Sequence, residues 1–228
     1  INLFHENEKV CSYDCVYCEA GKTKSPTLIS GIENCYEVNE ILEALAKALR
    51  KPRMVHTLTL SGTGEPTLHP QFFEIIEGIK RILRYLRPDV KVALLTNGSK
   101  SNFENIQAAY QLFDQVMIKL DAGDPDTFAR INKPVNGFSF SQLIAGLRET
   151  PNLTLQSCLI DGTPCNAYGK PYALWVELLQ SIDPKEVQIY SIERHISNNQ
   201  IRKIHPDRLN EIEKELQSLG INAKSFWR

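Results

Sequence analysis

The chain has 228 residues with 26 basic and 27 acidic side chains, a net charge of −1, which offers no support for a broad phosphate-binding surface, though a local basic stripe fits within a neutral total. Six cysteines are far too few for a disulfide scaffold, and no apolar run approaches the roughly 18 residues of a membrane span. A cytoplasmic protein with reduced thiols and no membrane partner is therefore expected, folded as a single domain over 1–228 because no Gly/Ser-rich linker interrupts it. Opening at Ile1 rather than Met, the chain is expected to lack an N-terminal segment.

In chain order, short apolar runs predict strands over 1–4, 56–60, 91–96, 115–120, 153–160 and 186–192. Amphipathic stretches predict helices over 39–50, 69–87, 102–112, 138–149, 168–182 and 206–219. In the second helix Phe72, Ile75, Ile76, Ile79, Ile82, Leu83 and Leu86 form one apolar stripe, with Glu74, Glu77, Lys80 and Arg81 off it. Each β–α pair takes about 30 residues, and such alternation implies a parallel sheet with right-handed crossovers, closed as a barrel or open as a doubly wound sheet. In that architecture the loops after the strands converge on one face. The unusual residues fall there repeatedly: Cys11, Cys15 and Cys18, then 62–65, Asn97 and Gly98, Asp121 and Gly123, Asp161 and Gly162, and Glu193, Arg194 and His195. One site over a barrel mouth is the expectation.

The sharpest motif is CSYDCVYC, which places Cys11, Cys15 and Cys18 within one short loop. Three thiolates at this spacing suit three corners of an iron–sulfur cube and leave a fourth iron without a protein ligand. A zinc ion would instead recruit a fourth side chain, His5 or Cys35, and three unrelated core thiols are the blandest reading. Lys119 and Asp121, two apart on a strand, share one side while Val116, Ile118 and Leu120 share the other. A charged pair aimed into a barrel is costly unless it meets a ligand or itself, so the pair either serves the site or is a self-contained ion pair.

CSYDCVYC, with Tyr17 immediately before the third cysteine, resembles the cluster motif of the radical S-adenosylmethionine superfamily. SGTGEPTL, at 61–68, resembles that family's glycine-rich segment ending in Gly-Glu-Pro. INLF, TNGS, KLDAGDPDTFARIN and QIYSIER are most similar to the subgroup related to the tRNA wyosine synthases. The resemblance implies a partial (β/α)6 barrel with parallel strands and its site at the C-terminal strand ends. It further implies a [4Fe–4S] cluster on Cys11, Cys15 and Cys18, S-adenosylmethionine as second cofactor, and reductive cleavage to a 5′-deoxyadenosyl radical that abstracts hydrogen from a substrate.

By the same resemblance Tyr17 lies near the adenine, Gly62 and Gly64 let backbone approach the amino group of S-adenosylmethionine, and Glu65 is hydrogen-bonded in that turn. Asn97 is either a cofactor contact or a plain tight-turn residue. Lys119, Asp121 and Gln156 are placed toward the cofactor, while Cys158 reads foremost as core. Tyr190, Glu193, Arg194 and His195 are candidates for a substrate pocket, or simply a polar loop. Cys35, Cys158 and Cys165 lack the close spacing of an auxiliary cluster. The implied partners are a reducing electron donor such as flavodoxin or ferredoxin and a substrate that includes tRNA among the candidates, against which the net charge speaks. The competing class is a zinc- or Cys-stabilised α/β binding protein without catalysis.

Overall fold

The computed structural model describes residues 1–5, 9–194 and 198–227, with Ile32 by its backbone alone. Among the described residues the α-helices and strands follow one another as α1 (Val38–Leu49), β1 (Thr57–Leu60), α2 (Phe72–Leu86), β2 (Lys91–Thr96), α3 (Glu104–Tyr110), β3 (Gln115–Lys119), α4 (Pro125–Asn132), α5 (Phe140–Glu149), β4 (Thr154–Cys158), β5 (Ile160–Gly162), α6 (Gly169–Ile182), β6 (Glu186–Tyr190), β7 (Ile201–Lys203), α7 (Pro206–Ser218) and β8 (Ala223–Phe226). Six strands form one parallel sheet in the order β1-β2-β3-β4-β6-β8, the parallel arrangement that the alternation predicts and the partial (β/α)6 barrel that the resemblance implies. Among the described residues no helix is long and apolar enough to cross a membrane.

Register divides the two faces of the sheet. Ile118, Leu155 and Val187 sit side by side across β3, β4 and β6, all fully buried, and the α2 stripe of Phe72, Ile75, Ile76, Ile79 and Leu83 is buried with them in one core. One residue further along, the row changes character: Lys119, Gln156, Gln188 and Lys224 are neighbours across four strands. Because side chains alternate, the apolar row meets the helices and the polar row lines the barrel.

The sixth strand is not the one expected. Segment 1–4 runs beside β1, with the Ile1 amino group donating to Thr59 O at 2.6 Å and Ser61 N to Ile1 O at 3.0 Å. It then turns away, since Leu3 O accepts from Tyr36 N and Phe4 bridges to Cys35, so it extends no ladder. The place is filled by β8, whose short, lysine-bearing AKSF has too little alternating apolar character to read as a strand. The run 153–160 breaks at Leu159, and β5 departs to pair antiparallel with β7. Helix α4 lay unread inside its loop although Asp124 caps it, accepting from Thr127 N at 2.9 Å, and Pro125 occupies its first turn.

Candidate active site

Local chemistry holds the cysteine loop against three strand ends. Cys18 N donates to Cys15 O at 3.1 Å, the turn that a two-residue gap permits. Val16 N donates to Ile131 O at 2.9 Å, tying the loop to α4. The Tyr13 ring packs edge-on against Phe128 at 5.4 Å and Phe138 at 5.2 Å. On the opposite side Val10 bridges Gly64, and Glu65 N donates to Val10 O at 2.8 Å. At Gly64, with φ +124°, a Cβ would overlap the Val10 carbonyl, so this glycine is what lets the cysteine loop dock on the Gly-Glu-Pro turn. Gly62 lines a cleft of about 580 Å³ together with Tyr17, Cys18, Cys158 and Tyr190.

Each of the three thiols accepts a hydrogen bond from a different element. Asn97 Nδ2 reaches Cys11 Sγ at 3.5 Å, Asn132 Nδ2 reaches Cys15 Sγ at 3.4 Å, and Lys9 Nζ reaches Cys18 Sγ at 3.1 Å. Burial first and Glu65 second push the Cys11 thiol up to about 11; burial, then Asp121, pushes Cys15 up to about 12. Sulfurs that each accept an N–H donor suit a metal centre, which neutralises the thiolates while the sulfurs keep their hydrogen bonds. Cys35 offers the contrast, since its Sγ donates to Gly31 O at 3.4 Å as an ordinary thiol does. Among the described residues no three His, Cys, Asp or Glu side chains converge on a single metal ion. A cube of four irons spreads its ligands over separate metals, and three thiols in one loop, each accepting its own N–H donor, suit such a cluster. The zinc completions lead elsewhere as well: the His5 ring packs on Tyr36 at 4.5 Å.

Two buried carboxylates organise the strand ends. Glu65 caps the short 3-10 turn Pro66–Leu68, accepting from Thr67 N at 3.0 Å, Thr67 Oγ1 at 2.7 Å and Thr96 Oγ1 at 2.6 Å; its second oxygen accepts from Asn97 N at 2.6 Å. Asn97, so held, also donates to Ser12 Oγ at 2.9 Å and accepts from Ser99 N at 2.9 Å. Across the barrel, Asp121 is 0% exposed and accepts from Tyr17 Oη, from Asn132 Nδ2 at 2.6 Å and from Cys158 N at 2.7 Å. Lys119 Nζ stands 3.8 Å from Asp121, donates to Tyr190 Oη, and lies over the Tyr17 and Tyr190 rings at 4.8 and 4.6 Å. Burial works against the Lys119 charge, but Asp121 and Tyr190 outweigh it and hold its pKa above the usual lysine value.

The structure thus gathers Cys11, Cys15, Cys18, Tyr17, Glu65, Asn97, Lys119 and Asp121 around one mouth, with Gly62 and Gly64 on its rim. Gln156 stands beside Lys119 in register: its Nε2 donates to Gln188 Oε1 at 2.8 Å, and it lines a neighbouring cleft instead of the one beside Cys18. His195 lies outside the described residues. Lys9, Ser12 and Asn132 carry no sequence signal beyond Lys9 standing two residues before Cys11; a distant asparagine at the end of an unread helix shows nothing until the chain folds.

A parallel barrel with a three-thiol centre at its C-terminal strand ends defines an iron–sulfur enzyme class. A sequence model of the radical SAM superfamily matches residues 9–160, and the chain belongs to that family, whose cofactors are a [4Fe–4S] cluster and S-adenosylmethionine. The chain is 34% identical over 188 residues to a UPF0026 protein of Synechocystis sp., covering 78% of this chain and 64% of that protein. It is 27% identical over 215 residues to a protein of Brachyspira hyodysenteriae named GTPase Obg, covering 92% of this chain and 30% of the other. The chain therefore spans less than two thirds of these relatives. Among solved structures, a radical SAM methyltransferase from Sphaerobacter thermophilus superposes with a TM-score of 0.70 at 21% identity, covering 99% of this chain and 64% of that one. Streptococcus suis SuiB bound to S-adenosylmethionine gives 0.69 at 10% identity, covering 99% and 50%, a likeness of fold.

Proposed function

We propose that this chain is a radical-generating enzyme that holds a [4Fe–4S] cluster on Cys11, Cys15 and Cys18 and S-adenosylmethionine in the cleft beside Cys18. The observation that carries the reading is the set of three sulfurs, each met by its own N–H donor, at the mouth of the barrel. Cys11, Cys15 and Cys18 would hold the cluster, which when bound would supply the one electron for cleaving the sulfur–C5′ bond of S-adenosylmethionine to methionine and a 5′-deoxyadenosyl radical able to take a hydrogen atom from the substrate.

The chain's own part is placement and exclusion of water. Glu65 locks the Gly-Glu-Pro turn to the end of β2, so Gly62 and Asn97 present a rigid edge to the cofactor. Asp121 orients Tyr17 and Asn132 from beneath, and Lys119 brings a fixed positive charge to the wall shared with Tyr190. A flavodoxin or ferredoxin supplies the electron, in the reducing cytoplasm that suits three cluster thiolates and the thiols of Cys35, Cys158 and Cys165. The resemblance of TNGS and QIYSIER to the wyosine-synthase-related subgroup supports a tRNA base as one candidate substrate.

The test is anaerobic purification. Brown protein with about four irons per chain, bleached by Cys15→Ala, and release of 5′-deoxyadenosine under dithionite are expected. Colourless protein with one zinc, the alternative of a metal-stapled binding module, overturns the reading.

A further inference from the structure

Beside the cysteine cleft lies a second one, of about 830 Å³, which shares Glu19, Tyr190 and Arg194 with the first. Its depth is the polar row of the barrel. Gln156 Nε2 donates to Gln188 Oε1 at 2.8 Å, and Gln188 Nε2 donates to Glu186 Oε1 at 2.8 Å, so one carboxamide fixes the next. Both hydrogen bonds of Gln156 use Nε2, which leaves its Oε1 as an acceptor. The side wall is aromatic: Phe226, the register partner of Tyr190, is 50% exposed, and Trp227 is 49% exposed. Both rings line the cleft, so together they offer it an apolar surface. At the rim Arg194 pairs with Glu19 at 3.2 Å, one residue beyond Cys18, and both side chains face solvent.

Oriented carboxamides read the hydrogen-bonding edge of a base, flat rings stack on its face, and a guanidinium takes its phosphate. An extended peptide is the other ligand class for a cleft beside an edge strand, through strand addition. Here that mode is closed. Helix α7 covers the outer edge of β8, with Glu213 Oε2 accepting from Ser225 N at 2.8 Å and Gln217 Nε2 donating to Ala223 O at 3.0 Å.

We infer that this cleft is the substrate subsite for a nucleotide, its base held by Gln156 and Gln188 against Phe226 and Trp227 and its phosphate met by Arg194. The inference rests on the radical-enzyme reading, since the shared residues open this cleft onto the one beside Cys18. The nucleotide arrives either free or within an RNA strand, and the same residues serve both.

Trp227 is itself the reporter, because the other tryptophan, Trp175, is 0% exposed. In the cluster-loaded protein, fluorescence titrations with GMP, AMP, CMP and UMP, with a short single-stranded RNA, with ribose 5-phosphate and with an uncharged tripeptide separate the cases. Saturable quenching by at least one nucleotide, absent in Trp227→Phe, is expected, with about tenfold weaker binding by equilibrium dialysis in Gln188→Leu and in the exposed Arg194→Ala. Quenching by the mononucleotide and by RNA alike points to the free source, and by RNA alone to the strand-borne one; both uphold the inference. Quenching by ribose 5-phosphate as strong as by nucleotides, quenching by the tripeptide only, or none at all overturns it. Iron content and 5′-deoxyadenosine release, measured on the same sample, show whether the radical-enzyme reading fails separately.

Discussion

The two halves of the barrel solve one problem with different chemistry. On the β1–β2 side Glu65, 2% exposed, reaches Cys11 through Asn97; on the β3–β4 side Asp121, 0% exposed, reaches Cys15 through Asn132. Glu65 is held only by neutral donors, two threonines and the Asn97 backbone. Asp121 has in addition a cation 3.8 Å away, Lys119. A carboxylate ringed by neutral dipoles tolerates loss of its charge. One that balances a largely buried lysine, its side chain 19% exposed, does not, because the lysine is left behind without its partner.

The largest expected effect breaks the charged half. Asp121→Asn leaves Lys119 without a counter-charge and lowers stability by about 3–5 kcal/mol in urea unfolding, and Lys119→Met added to it restores part of the loss. Equal losses in the single and double variants would show that the ion pair is not what makes this half demanding.

Glu65→Gln, the matching change on the neutral side, is expected to cost about 1–3 kcal/mol by the same measurement. It also has a pH signature. Burial raises the Glu65 pKa, against the pull of its hydrogen bonds from Asn97, Thr96 and Thr67. A carboxyl whose folded pKa lies above its unfolded one contributes most below the unfolded value, about 4.3, and loses that contribution as pH rises through the folded value. The stability advantage of wild type over Glu65→Gln should therefore narrow as pH climbs from that point; a widening advantage would mean the carboxylate is stabilised in its charged form.

Smaller effects sharpen the comparison at the sulfurs. Asn97→Leu and Asn132→Leu each remove one N–H donor, so each should lower the cluster's midpoint potential on the order of 40 mV in a potentiometric titration, about 1 kcal/mol per hydrogen bond for one electron. A shift in only one variant would mean the two asparagines are not equivalent. Least of all, Lys9→Met at the rim, which removes the donor to Cys18 at 3.1 Å and to Gly21 O at 2.7 Å, should change stability by no more than about 0.5 kcal/mol.

Much of the site was legible because it is local. Three cysteines in one loop and a Gly-Glu-Pro turn declare their chemistry within a few residues, and Lys119 with Asp121 could be placed on one face by strand period alone. Asn132 and Ser12 could not be read, since what makes them matter is a cysteine or an asparagine brought close by other elements. Gln156 could be placed on the inner face of β4 by alternation, whereas which cleft it lines depends on its register with Lys119 and Gln188.

The strand count shows the same division. Short apolar runs, continuous in β2 and alternating in β3 and β6, identified five members of the parallel sheet, each by its own residues. Which segment took the sixth place was decided between 1–4 and β8, far apart in sequence, by whether a neighbour continued the ladder: β6 does so for β8, while 1–4 is drawn off to Cys35 and Tyr36. The sequence by itself determined the cofactor-bearing motif and the alternation that aims it at one face, since both depend on spacing along the chain. Only the tertiary structure decided which donor meets each sulfur, which half of the barrel carries the charge, and that a second cleft opens beside Tyr190, because hydrogen bonds and buried charges are settled by distance across the fold.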